Sequence, residues 1–98
     1  MSAPPSPAIA VALRYEANAR APRVVAKGEG FVAEALVARA QAAGVPISDE
    51  PDLAVLLNKL DLNHVVPPEL YAVVAQVLVW AYNLDQREGR DRPVALWR

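Results

Sequence analysis

Ninety-eight residues suffice for one domain with one core, with little stability to spare. Ten Lys plus Arg against eleven Asp plus Glu leave a net charge of -1, so no general attraction to nucleic acid or to an anionic membrane surface is expected. The absence of cysteine excludes a disulfide framework and thiolate chemistry, and fits a reducing, cytoplasmic setting.

Residues 1–8 carry prolines at Pro4, Pro5 and Pro7, which remove backbone donors and favour extended conformations, so they are expected to form a flexible lead-in. They contain no basic region followed by an apolar one, and so do not form a secretory signal. Ile9, Val11, Leu13 and Tyr15 alternate with Ala10, Ala12, Arg14 and Glu16, which predicts a strand with one face of large residues and one of small ones. The Ala face could lie close under a helix. Arg23 to Lys27 predicts a second short strand, and Asn18 to Pro22 is too short for a parallel crossover, so the two strands should pair antiparallel.

Gly28 to Gly30 opens a helix whose expected inner stripe is Phe31, Val32, Ala35, Leu36, Ala40 and Ala43, with Gly44 as its stop. Val45 to Asp49 predicts a third strand, reached from Arg23 by a parallel right-handed crossover. A second helix begins at Pro51 and should direct Leu53, Leu56, Leu57 and Leu60 inward. A third begins at Pro67 or Pro68 and runs to about Asp85 on Leu70, Val73, Val74, Val77, Ala81 and Leu84. Its longest apolar run, Val77 to Tyr82, is far below the ~20 residues that membrane insertion needs. The expected architecture is α/β: a small mixed β-sheet of three to four short strands with about three packed helices. It spans residues 9–86, and 87–98 form a polar tail that detaches, although Val94, Leu96 and Trp97 could dock.

Side chains with reactive potential are sparse. His64 has no cysteine or acidic cluster beside it and is read as a turn residue. Asp49, Glu50 and Asp52 precede a helix, where capping and dipole compensation account for them. Lys27-Gly28-Glu29-Gly30 follows a strand and opens a helix, the setting of a phosphate-binding turn, but its lysine precedes the glycines and no Ser or Thr follows. No catalytic residue, cofactor or metal is expected. The chain reads as a protein-binding domain and not as an enzyme.

Four blocks in order, Ala10-Val-Ala-Leu-Arg-Tyr15, Ala21-Pro-Arg-Val-Val-Ala-Lys-Gly28, Gly44-Val-Pro-Ile47 and Pro67-Pro-Glu-Leu-Tyr-Ala72, resemble the cytoplasmic C-terminal domain of the FlhB/YscU export-switch family. The resemblance covers roughly Ile9 to Asp85. It implies a place in flagellar or injectisome type III export, where the family switches export from early to late substrates. The family's membrane-embedded half has no counterpart in these residues. Its self-cleaving Asn-Pro-Thr-His falls on Pro5, Ser6, Pro7 and Ala8.

By this resemblance the chain is expected to be a cytoplasmic accessory of the export gate that binds gate components or export substrates and mimics a cleaved domain. The alternative is a protein-binding module unrelated to secretion. A nucleotide binder using the Lys27 turn is the third reading. Two surfaces are candidates for partners. The family's upstream strand has no match in 1–8, so the first strand is expected to have an open edge, available for strand addition or covered by tail residues or a dimer mate. On the third helix, Val79 and Trp80, with Tyr71, fall off the core stripe and form a candidate partner-binding patch, unless Leu96 or Trp97 covers Trp80 or the ring packs on the second helix.

In the family, cleavage starts when the Asn side-chain amide attacks its own carbonyl carbon, and Pro5 has no such amide. The chain is therefore expected to remain one intact species by mass spectrometry after prolonged incubation at neutral pH. A break between Pro5 and Ser6 would contradict this.

Overall fold

The structure is a computed structural model that describes residues 8–15, 21–84 and 93–97. Pro5, Ser6 and Pro7, the Asn18 to Arg20 part of the first connection, and 87–92 of the expected tail lie outside the described residues. The elements are β1 (Ile9–Arg14), β2 (Arg23–Glu29), α1 (Phe31–Ala42), β3 (Ile47–Asp49), α2 (Pro51–Asn58), a 3-10 turn (Pro68–Leu70), α3 (Tyr71–Leu84) and β4 (Pro93–Trp97). The sheet order is β2-β1-β4-β3. β1 is antiparallel to both β2 and β4, and β3 is parallel to β4, which makes the mixed α/β fold expected. β2 and β3 run the same way, as the strand-helix-strand unit required, but β1 and β4 lie between them.

The size alternation in β1 extends across the sheet. Ala10 sits opposite Gly28, and Ala12 lies between Ala26 on one side and Ala95 on the other, giving a face of Ala and Gly. Ile9, Val11 and Leu13 point the other way and join Val24, Val94 and Leu96 in the core with Leu53, Leu57, Val74, Val77 and Leu78. Strict alternation in β2 would put Val24 on the same face as Ala26. A β-bulge between these pairs leaves Val25 without a partner and turns Val24, fully buried, onto the large-residue face. Each such buried aliphatic side chain contributes about 1.5–3 kcal/mol relative to exposure.

α1 packs on β1 and β2 over the Ala and Gly face, while α2 and α3 cover the other. Only small side chains allow that approach, and the residues α1 buries are Ala33 and Ala40. The expected stripe is corrected accordingly: Phe31, Val32 and Ala35 are exposed, and Leu36 is half-buried. Gly28 belongs to the same contact, because a Cβ there would overlap the Val32 side chain. Gly44 does end α1, at φ 73°, and the bonds Gly44 N–H to Gln41 O (3.2 Å) and Val45 N–H to Ala40 O (2.8 Å) close a Schellman cap.

On the opposite face Leu53, Ala54 and Leu57 of α2 are buried, whereas Leu56 is exposed. In α3 the buried set is Val74, Val77, Leu78 and Ala81; Val73 is exposed, Leu78 was not anticipated, and nothing is described of the Leu84 side chain. Val66 is also fully buried, and Asn63 to Val66 run along the outer edge of β2. Asn63 N–H bonds Val24 O (2.7 Å), Val24 N–H bonds His64 O (3.0 Å), and Val66 N–H bonds Pro22 O (2.8 Å).

The largest departure from expectation is β4. Pro93–Trp97, assigned to a detached tail, is an interior strand paired on both sides, with Val94, Ala95 and Leu96 essentially inaccessible. Of the outcomes expected for the β1 edge, cover by tail residues is the one observed: β4 occupies it, so the edge is not open in the folded chain. Pro93 fits as the first strand residue, where a missing N–H is tolerated. Leu96→Ala is expected to destabilise the domain by about 2–5 kcal/mol in urea unfolding, as for other buried leucines. A detached tail would show no loss.

Candidate protein-binding surface

α3 carries the candidate surface because only one stripe of it is buried. Residues on the two flanks of that stripe, including Tyr71 (42% exposed), Val73 (46%), Val79 (56%) and Trp80 (40%), remain accessible. Carbon-rich side chains are thus held at the surface by a helix whose neighbouring turns are anchored in the core. Two grooves run along these flanks.

The first, of about 190 Å³, is lined by Tyr15 and Pro22 beside Tyr71, Val74, Ala75 and Leu78 of α3. The two tyrosines bring the only polar side-chain atoms, so the floor offers apolar contact and little directional bonding. Val66 N–H holds Pro22 through its carbonyl, and Val24, two residues on, is fixed in the core. The second groove, of about 360 Å³, lies between Ile47 to Glu50 at the junction of β3 and α2 and Val73, Gln76, Val77 and Trp80 of α3. Here Ser48 donates to Glu50 Oε2 at 2.8 Å.

The three residues anticipated as one patch are divided between these features. Tyr71 lines the first groove, Trp80 the second, and Val79 is exposed in neither. Leu96 is committed to the core. Sequence reading missed Tyr15, Pro22, Ala75 and Leu78; the Ala-Pro and Pro-Pro-Glu-Leu-Tyr blocks are the signal that marked two of the walls.

The other candidate groups have structural partners. Lys27 Nζ donates to Asn58 O at 2.9 Å, capping the end of α2, and Asn58 Nδ2 donates to Glu29 Oε2 at 3.2 Å. The lysine of the candidate phosphate turn is thus engaged with α2, and residues 27–29 belong to β2. Glu50, at the N-cap of α2, makes no side-chain cap bond, which corrects the capping expectation; Asp52 does lie in the first turn, where it opposes the helix dipole. His64 is exposed in its turn. Among the described residues no cluster of His, Cys, Asp or Glu could hold a metal ion, and no helix is long and apolar enough to cross a membrane.

Residues 6–81 match the family model described as the FlhB HrpN YscU SpaS family. The chain belongs to this family. It is 41% identical over 78 residues to the uncharacterized protein YlqH of Bacillus subtilis, covering 79% of this chain and 84% of YlqH. It is 40% identical over 88 residues to the flagellar biosynthetic protein FlhB of Escherichia coli, covering 86% of this chain and 23% of that protein. With the hypersensitivity response secretion protein HrcU of Ralstonia nicotianae the identity is 44% over 72 residues, 72% of this chain and 20% of HrcU. The chain thus spans less than a quarter of FlhB and HrcU but most of YlqH. In this member of the FlhB family the Ala8 carbonyl accepts the Gly30 N–H at 2.8 Å.

Trp80→Ala removes a residue that is two-fifths exposed, so the expected loss is about 2 kcal/mol, short of the ~3–5 kcal/mol for a buried aromatic. Urea unfolding reads the difference. A loss of ~3 kcal/mol or more would assign the ring to the core.

Proposed function

We propose that this chain is a non-enzymatic accessory of flagellar or type III protein export that binds export-gate components or export substrates. The observation that carries this reading is the apolar groove between Pro22 and α3 in a domain of the FlhB family. A cleft of this size and character suits a few apolar side chains of a partner's short segment, with the tyrosines fixing orientation. Family relatives are named for flagellar biosynthesis and for hypersensitivity response secretion, which supports export as the setting. Binding at the cytoplasmic side of the membrane gate would follow.

Ala75 is exposed and lines the groove, so Ala75→Glu places a charge in it without entering the core. Isothermal titration against purified export substrates and the cytoplasmic parts of gate subunits should show binding by the unaltered chain. Ala75→Glu should weaken it at least about tenfold, since an unpaired charge resists desolvation, with the melting temperature nearly unchanged. Binding confined to proteins outside secretion would favour a module with another role. Undiminished binding by the variant would move the site elsewhere.

A further inference from the structure

We propose that the gap between β1 and β3 is a strand-binding site with an exchangeable occupant, that Pro93–Trp97 is its internal occupant, and that an uncharged extended segment alternating large, small and large side chains fits it from a second polypeptide. Two observations converge on the gap. β4 is the only strand paired with β3 among the described residues, so the whole connection of β3 to the sheet passes through it. β1 is inaccessible at Ala10, Val11 and Leu13 when the gap is filled, and would present an unpaired apolar edge if it were empty. Such an edge is a template for an added strand.

The match to the family sharpens this. Residues 6–81 supply β1, β2, β3 and all but the end of α3, yet the strand in the middle of the sheet lies beyond the match at Pro93–Trp97. The sheet is thus closed by residues outside the stretch that matches the family model. The strand that closes it is separated in sequence from the elements it joins.

The gap specifies its occupant. The backbone runs antiparallel to β1, with Val94 opposite Leu13, Ala95 opposite Ala12 and Leu96 opposite Val11. Both faces are covered, by α1 on the side of Ala95 and by the main core on the side of Val94 and Leu96, so a charged side chain at any of the three has no access to water. The size order matters as much as polarity. A large residue at the Ala95 position meets the tight Ala and Gly face, and a small one at Val94 or Leu96 leaves a void in the core. Ala95 N–H bonded to Pro46 O at 2.9 Å adds a contact just before β3.

The full chain with a specific protease site introduced within 87–91 provides the test. After folding and cleavage the two pieces should stay together through gel filtration and retain the far-UV circular dichroism of the uncut chain. A fluorescently labelled peptide spanning Asp91 to Arg98 should then exchange into the cleaved protein at one per molecule, followed by anisotropy in mild urea. The same peptide carrying Leu96→Asp should bind at least roughly a hundredfold more weakly. Unfolding on cleavage, failure of the labelled peptide to exchange, or equal binding of the Leu96→Asp peptide would each overturn the proposal.

Discussion

Close packing of α1 on a surface made of Ala and Gly is the contact on which the rest of this fold depends. A helix can approach a sheet closely only where side chains are short, and Ala10, Ala12, Ala26, Gly28 and Ala95 provide such a surface across three adjacent strands. Period-two alternation then sends Ile9, Val11 and Leu13 of β1, with Val94 and Leu96 of β4, to the opposite face. That face becomes the main core, and α2 and α3 must cover it. The bulge at Val25 follows from the same division, since without it Val24 would stand under α1.

α2 has only eight residues and cannot cover the large-residue face by itself. α3 closes the remainder with the stripe Val74, Val77, Leu78 and Ala81, and its flanks then project beyond the edge of the underlying core. The grooves along α3 are the consequence: one bounded by Tyr15 and Pro22, the other by the β3 to α2 turn. The proposed binding role thus depends on the shape left over after the core is satisfied. It does not require a reactive side chain, in keeping with Lys27, Asn58 and Glu29 bonding to one another's elements.

The parts legible in the sequence were those with a short-range physical cause. Alternation announced β1, Gly44 announced the end of α1, and Pro51 the start of α2. The inner face of α1 was not legible because Phe31, Val32, Ala33, Leu36 and Val37 ring the helix with apolar groups; the face that docks was chosen by small size, a property of the partner surface. β4 was missed because Val94, Ala95 and Leu96 follow a polar stretch with Gly89 and Pro93, and the five-residue strand is too short to show a period. Its size pattern, large, small, large, does mirror Leu13, Ala12 and Val11, a signal visible only once the pairing is considered. The grooves were half legible: exposure of Tyr71 and Trp80 followed from helical spacing, but their separation depends on β3 and on Pro22, which are remote in sequence.

The small-residue face is tested most directly by the unfolding free energy of Ala10→Leu. Ala10 is inaccessible and sits opposite Gly28, where the space for even a Cβ is already taken by Val32. If α1 packs as described, the larger side chain must push the helix off the sheet, and urea unfolding should show a loss of about 1–3 kcal/mol or more. Unchanged or increased stability would mean that room exists between α1 and the sheet, and would contradict the account.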